Sequence, residues 1–562
     1  MAENQKNPEQ SFERTVSVHN GAVQRNAPWL LQETEAVQAL NLEINLLGER
    51  SRRRGALCFG GVMGQELAGG LGGYRDELFE EFLVGCWGSG LYFSDLDGGW
   101  GQQACGVSLV SGLLHDIIPA RHAGKLAYAV ATCEKVTNTS EGINGRSQLV
   151  IYDIEDNAET AVSLSPRAIA MFQQRLFYGE GETVGWSEIG DLASYSDTNN
   201  ILIEPGLGGE ITAIIPSRDI DPKLLIFKDD SIFVFTAKWG TDSAIIPSAG
   251  DALDTINSSV RVLSRGVGCI ATKSAAWVPG AESSDVFFLS SDGIRSLQRA
   301  ENDVQSGAGF PISWNIKAWI DRINFTQAHK ASASVFDNAY HLAVPLDGAK
   351  DNTHVLRYDI ANKAWTLHTW EARDLSSFKV ADQDRLWMQN GYVTGDTSVT
   401  QAETDVSNHG HLVYSLFSGQ IDPSSDVTNV RRPEMLEESR SYTLKEPMIK
   451  KRWDRFSLEL SSSETSALEI AYRTDQGNWI PITDTRVLGT SNTIVFGVEP
   501  LPWISAPKQI RRQTFSLSDI PPSYHLQLRV MSSTNSTESG RPFLYFSEVV
   551  GHLLTNNFEN DV

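Results

Sequence analysis

Reactive side chains need a turn that exposes them, and this sequence offers few such turns. "GWSEIG" (Gly185–Gly190) sets Ser187 in a glycine-flanked corner. A nucleophile elbow needs glycine two residues after the serine. Here that position is Ile189 and the glycine comes one residue late, so Ser187 makes a poor nucleophile. "GGVMGQELAGGLGGY" (Gly60–Tyr74) lacks the lysine and the preceding strand of a phosphate cradle, and it reads as a loop. No His-Glu-x-x-His pair occurs to hold zinc on a helix.

The acidic candidates fare no better. "SDLDGGW" (Ser94–Trp100) approaches the Ser-x-Asp-x-Gly-x-Thr-Trp turn of sialidases, but position three is Leu96 and the threonine is absent. Asp95 and Asp97 would open a calcium loop, yet the fifth position is Gly99, which leaves too few oxygens. Carboxylates for glycoside hydrolysis must converge from separate strands, and no local motif here brings a pair together.

Five cysteines (Cys58, Cys86, Cys105, Cys133 and Cys269) form no Cys-x-x-Cys pair and have no zinc-like spacing to histidine. They read as small buried apolar residues. The dense basic run is "RSRRRG" (Arg50–Gly55). Arg50, Arg52, Arg53 and Arg54 are the candidate contacts to a neighbouring subunit or to passing DNA. The competing reading is a solvated turn ahead of the first structural repeat.

Charge is distributed unevenly. The chain of 562 residues has a net charge of −23. From Arg440 to the end, 13 basic and 13 acidic residues cancel, so the preceding 439 residues hold 34 basic and 57 acidic residues and the whole surplus. Such a body does not bind nucleic acid by releasing counterions; it forms a wall along which a polyanion slides. No apolar run approaches the ~18 residues of a membrane helix. The polar start "MAENQKNPEQSFERTVSVHNG" lacks the apolar core of a signal peptide. A protein kept in the cytoplasm until something larger carries it out is expected, with no membrane insertion.

The elements around these residues read as short strands. "DVFFLSSDGIRSL" (Asp285–Leu297) and "LLIFKDDSIFVF" (Leu224–Phe235) each pair two apolar runs across a polar corner. In the first, Asp292-Gly293 reads as the hairpin corner, with glycine free to take positive φ. Tyr-Asp-Ile occurs at Tyr152–Ile154 and again at Tyr358–Ile360, each after an apolar strand. One helix is expected over Ile312–Phe325, where Ile312, Ile316, Trp319, Ile320 and Ile323 form a stripe. The strand units recur at about 40–50 residues, the length of a β-propeller blade. An all-β protein follows: a propeller of about seven blades with an N-terminal arm over 1–435, then a neutral β-sandwich over 436–562. Residues 418–435 read as the linker or the last blade edge.

Several stretches in order resemble the β-propeller tail proteins of tailed bacteriophages, including podoviral tail nozzles and DNA-stabilisation proteins. They are "NAPWLLQETEAVQALNLEINLLGERSRRRGAL" (Asn26–Leu57), "RLFYGEGETVGWSEIGDLASY" (Arg175–Tyr195), "SRGVGCIATKSAAWVPGAESSDVFFLSSDGIRSL" (Ser264–Leu297) and "HVLRYDIANKAWTLHTW" (His354–Trp370). The resemblance implies a structural virion protein with no catalytic residues and no cofactor or metal. It implies a ring, often of six copies, that lines the DNA exit channel. Its neighbours would be tail adaptor, fibre or needle proteins, and the genome would pass without specific binding. The expected location is the virion tail, assembled in the bacterial cytoplasm. The alternative from another class is a host-glycan-binding or glycan-cleaving propeller, suggested by 14 tryptophans and many aspartates.

Overall fold

In the computed structural model the described residues lie between 10 and 554. They exclude 16–19, 46–48, 60–67, 76–80, 96–98, 104–108, 136–144, 218–222, 242–243, 280–284, 299–309, 381–382, 391–411, 420–432, 463–465, 483–492, 497–510, 533–541 and positions 147, 155, 157 and 249.

Among the described residues seven antiparallel sheets follow one another as propeller blades. Blades 1 to 4 occupy 68–103, 115–162, 168–202 and 211–265, each with four strands in sequence order. Blade 5 (276–296) has three strands, and blade 6 comprises 332–368. Blade 7 takes three strands from 372–419, and its outermost strand is Gly55–Phe59, from the other end of the chain. The inner strands Ala68–Arg75, His115–His122, Ala168–Phe172, Ile211–Pro216, Ala276–Val278, Ser332–Phe336 and Ala372–Val380 succeed one another around a centre, and the last meets the first. Closing the circle with a strand from the opposite terminus ties the ring by backbone hydrogen bonds, so neither end opens independently.

The paired apolar runs form these sheets because each blade buries both faces against its neighbours. Leu224–Lys228 and Ser231–Thr236 are buried nearly throughout, and Phe227 of blade 4 packs on Phe288 of blade 5 with centroids 5.2 Å apart. The repeated Tyr-Asp-Ile ends the third strand of blades 2 and 6. Asp153 Oδ1 accepts from Asp156 N at 3.2 Å, and Asp359 Oδ1 accepts from Asn362 N at 2.9 Å. In both, an aspartate side chain caps the turn into the outer strand.

The corner of Asp285–Leu297 is also as read, with one refinement. Ser290 faces Gly293 across the hairpin, so Ser291 and Asp292 are its tip and Gly293 is the exit, at φ +134°. Asp292 pairs with Arg295 on the strand that follows. The helix expected over 312–325 is shorter: a 3₁₀ turn Ile312–Ile316 runs into one α-turn, Lys317–Ile320. Its stripe survives, with Ile316, Trp319, Ile320 and Ile323 buried.

The second unit is a β-sandwich, and both ends of the chain build it. One sheet combines Gln10–Thr15, Leu42–Ile44 and Arg50–Arg52 with Lys451–Ser462, Arg511–Ser516 and Pro542–Leu553. In the other, Ala36–Leu40 pairs with Leu436–Ser439, followed by Leu526–Ser532 and Ser466–Thr474. The N-terminal arm, expected with the propeller, is therefore split: its first four strands belong to the sandwich and its fifth to blade 7. Trp453, Phe456, Leu458 and Phe515 of one sheet face Leu468, Ile470, Leu528 and Val530 of the other in one apolar core. That core continues into blades 5 and 6 through Leu289, Leu342 and Trp365. The backbone is continuous too, since Leu40 pairs in parallel with Leu367 on the outer strand of blade 6.

Candidate functional site: a charged plug across the propeller channel

The densest polar constellation lies where the inner strands begin. A 3₁₀ turn, Thr272–Ser274, connects blade 4 to blade 5 and leans across the centre. Thr272 Oγ1 lies 2.6 Å from Thr212 O of blade 4 and 2.9 Å from Cys133 O of blade 2. Ser274 Oγ donates to Ala271 O at 2.7 Å, and its carbonyl accepts from Tyr340 OH of blade 6 at 2.7 Å. These bonds hold the turn rigid and carry Lys273 inward.

Lys273 Nζ pairs with Asp374 of blade 7 and lies 3.4 Å from His115 O of blade 2. Asp374 is fully buried and satisfied on several sides: it accepts from Leu71 N of blade 1 at 2.7 Å and from Ser332 Oγ of blade 6 at 2.5 Å. One ion pair thus bridges blades 5 and 7 and touches blades 1, 2 and 6.

Further buried ion pairs lie beside it, beginning with Arg373, the residue before Asp374. Arg373 reaches Asp351 at 2.8 Å, Gly112 O at 2.8 Å and Glu134, whose other bond is from Leu114 N at 3.0 Å. Arg167, fully buried, donates to Glu210 at 2.8 Å and to Ile270 O at 2.9 Å, while Arg146 reaches the same carboxylate at 2.7 Å.

Burial and pairing set the protonation states. Burial opposes the charge on Lys273, but Asp374 and Asp116 outweigh it and hold the ammonium above the usual lysine range. Burial likewise pushes Glu210 up, and Arg167 and Arg146 overcome it to hold the carboxyl below the usual range. Asp116 is raised by burial, against the pull of Lys273. His115 is pushed down to about 4 by burial, aided by Arg373 and Lys273. His115 is therefore a neutral ring at ordinary pH.

The charges of this constellation are spent on one another. Its chemistry is mechanical: ion pairs in a low-dielectric interior tie five blades together. Among the described residues no group of three or more His, Cys, Asp or Glu is placed to hold a metal ion.

The sequence-derived candidates fall elsewhere. Arg50, Arg52 and Arg53 are buried at 1–2% exposure. Arg50 Nε lies 3.3 Å from Glu437, while Arg53 donates to Asn41 Oδ1 at 2.7 Å and stacks on Trp370. Buried, these three present no surface to DNA or a subunit: Arg50 joins the two sandwich sheets, and Arg53 ties the strap to the exit of blade 6. Only Arg54 keeps an exposed side chain, 3.5 Å from Glu43. The solvated-turn reading fails as well, because the run straddles two sheets.

Ser187 is buried, and its Oγ accepts from Leu176 N at 3.0 Å and donates to Glu188 O at 3.0 Å, a structural bridge within blade 3. Asp95 closes a hairpin by accepting from Gly99 N at 2.5 Å; Asp97, Cys105, residues 60–67 and most of 418–435 lie outside the described residues. The loop expected over Gly60–Tyr74 is corrected from residue 68 onward, where Ala68–Arg75 is the inner strand of blade 1, its glycines packed closely on neighbouring strands. Cys86, Cys133 and Cys269 are buried as expected, but Cys58 is exposed on the outer strand of blade 7. Of the 14 tryptophans that suggested sugar stacking, Trp87, Trp186, Trp239, Trp365, Trp370, Trp387 and Trp453 are fully buried in cores. The plug residues escaped sequence reading because Lys273 and Asp374 are 101 positions apart and neither sits in a motif.

No family model and no curated protein matches this chain. Solved structures that align with it include BBS1N in complex with ARL6DN, at 12% identity over 66% of this chain and all of that one, with a TM-score of 0.32. The AfRom2 CNH domain aligns at 9% identity over 64% of this chain and 97% of its own, with a TM-score of 0.36. An exo-β-1,3-galactanase from Phanerochaete chrysosporium aligns at 9% identity over 88% of this chain and all of its own, with a TM-score of 0.25. The class defined here is that of β-propeller proteins, in this case fused at one blade to a β-sandwich built from both chain ends.

Proposed function

We propose that this chain is a structural protein of a bacteriophage tail, assembled as a ring around the path of the exiting genome. The observation that carries this reading is where the phage-like segments fall. Residues 26–57 form the strap that leaves the sandwich and closes blade 7. Residues 175–195 lie within blade 3, 264–297 hold the plug turn and blade 5, and 354–370 finish blade 6 and lead on to blade 7. The resemblance therefore tracks the scaffold from strap to blades.

In this reading the bore for DNA lies between copies, because Lys273 and Asp374 cross the propeller's own channel. The surplus acid of the first 439 residues would then line a path that duplex traverses without sticking. Tail adaptor, fibre or needle proteins would be the neighbours, and no cofactor is required.

Electron microscopy of purified assemblies and of antibody-labelled particles tests this. A closed ring, and label at the tail on the particle axis, are the expected results. A chain that is monomeric in particles overturns the ring. Label on fibres together with glycan binding replaces this reading with the adhesion alternative.

A further inference from the structure

The plug turn is seated by polar contacts. Thr272 Oγ1 bonds the carbonyls of Thr212 and Cys133, Lys273 pairs with Asp374, and Ser274 bonds Ala271 O and, through its carbonyl, Tyr340 OH. None of its three residues, Thr272, Lys273 and Ser274, brings an apolar side chain to a core. The blades around it are held differently, by packed apolar faces such as Phe227 on Phe288. Segments with few buried apolar contacts open at a lower free energy than the cores beside them, so the turn can leave the channel without unfolding a blade.

Two imidazoles face the cations of this network. His115 is fully buried with Nδ1 3.1 Å from Gly69 O, and the charged groups acting on it are Arg373 and Lys273. His329 precedes Lys330 on the 3₁₀ turn Ala328–Lys330 that leads into blade 6, and the charges acting on it are Lys330, Arg167 and Arg373. The acids at hand are engaged with those same cations. Asp374 holds Lys273, Glu134 holds Arg373, and Asp351 holds both Arg373 and Lys330. Glu210 holds Arg167 and Arg146, and Asp229 lies 3.7 Å from Lys135.

We propose that the turn is a latch released by acid: as His115 and His329 take up protons, like charge gathers around Lys273 and Arg373, Lys273 leaves Asp374, and the turn lifts from the channel while the blades stay folded. Closed, burial and the neighbouring cations push His115 down to about 4 and His329 down to about 3. Lifted and hydrated, each ring regains its ordinary value of 6.5. Both closed values lie below the open one, so the latch is fully held above 6.5 and loosens as pH falls from there toward 4. Its opening constant rises about tenfold per pH unit for each histidine. Asp116 and Asp229 work in the opposite sense, because burial raises their carboxyls and the closed state takes their protons more readily. The net rise therefore lies between about tenfold and a hundredfold per pH unit.

Two buried thiols report the latch, whether or not copies of the chain form a ring. Cys133 gives its carbonyl to Thr272 Oγ1, and Cys269 holds its Sγ 3.4 Å from Ser274 Oγ. Burial pushes the Cys269 thiol up to about 11, so it is unreactive while the turn is down. The full chain is treated with dithiodipyridine, which attacks thiols in mild acid as well as at neutral pH, and the adducts at Cys133 and Cys269 are located by peptide mass mapping. Rates are divided by that of glutathione under the same conditions. Below pH 6.5 both thiols should gain about tenfold to a hundredfold in rate per pH unit, with the fluorescence of the buried tryptophans unchanged. His115→Asn keeps a donor for Gly69 O, and together with His329→Gln it should abolish the rise, each single change removing about half of the logarithmic slope. Wild-type rates that do not change with pH, or that rise only where the tryptophan signal is lost, overturn the latch, and this comparison decides even where the double variant fails to fold. An undiminished slope in a folded double variant overturns it equally.

Discussion

Arg53 holds its guanidinium carbon 4.0 Å from the centroid of the Trp370 ring. Its Nε donates to Asn41 Oδ1 at 2.7 Å, and Asn41 in turn donates to Glu434 O at 2.8 Å and accepts from Thr369 N at 3.0 Å. Three distant parts of the chain meet on one cation: the strap near 41–53, the exit of blade 6 and the entry to the C-terminal sandwich. The two units are joined there by a buried charge.

Arg53→Ala should therefore destabilise both units together. A desolvated cation–π contact is worth about 2 kcal/mol and a hydrogen bond to a charged group about 1.5–3 kcal/mol. A loss of roughly 3 kcal/mol is expected, in a single denaturant transition followed by tryptophan fluorescence. Arg53→Lys should recover little, because an ammonium cannot stack flat on Trp370 and bond Asn41 at once. Two separate transitions in the wild type would count against the joint.

The blades were legible because their signal is local. Asp285–Ser290 and Gly293–Ser296 show two almost wholly buried runs and a corner within one short stretch, and Tyr-Asp-Ile repeats the capped turn of two blades. The sandwich's N-terminal strands were illegible because Leu42–Ile44 and Arg50–Arg52 are three residues long and join the sheet only through Pro542–Leu553, near the other terminus. The arginine run misled for a related reason. Arginines are rarely buried unless paired, and the groups that pair with or stack on them, Glu437 and Trp370, are hundreds of positions away. The plug has the same character, since nothing near Lys273 in sequence announces Asp374.

Gly293→Val should cost about 1–3 kcal/mol. At φ +134° a β-branched residue is strained, and a Cβ there would lie 2.5 Å from Ser313 Oγ, which already accepts from Ile294 N. The substitution should lower the melting temperature and the yield of folded protein. Unchanged melting would mean that the hairpin and the 312–316 turn do not pack as described.

Acid should destabilise the fold through its buried histidines. Burial, with Arg357 adding, pushes His341 down to about 3, and burial pushes His115 down to about 4. Both folded values lie below the ordinary value of 6.5. Their contribution is therefore complete above that value and is lost as pH falls from 6.5 toward 3 to 4. Within that window each histidine removes about 1.4 kcal/mol per pH unit. His341→Phe keeps a ring against Phe417, 5.5 Å away, and removes one titration. The slope of stability against pH between 6 and 4 should become shallower by roughly that amount. An unchanged slope would show that His341 does not titrate on unfolding.

The ion pair in the plug should behave as a unit. Lys273→Met leaves Asp374 buried, still accepting from Leu71 N and Ser332 Oγ but without its counter-charge. Removing one partner of a buried pair costs roughly 3–5 kcal/mol. Asp374→Asn removes the charge from the other side, and Lys273 then stays buried beside Asp116 with His115 O as an acceptor. The double variant leaves no unpaired buried charge between these two positions, so its loss should be clearly smaller than the sum of the single losses. Denaturant titrations of the four proteins give the coupling directly. Because the pair is dry, the coupling should persist in high salt, where exposed pairs such as Arg322–Asp347, 2.7 Å apart at the surface, lose theirs. Additive losses, or a coupling abolished by salt, would place Lys273 in water and leave the channel uncrossed.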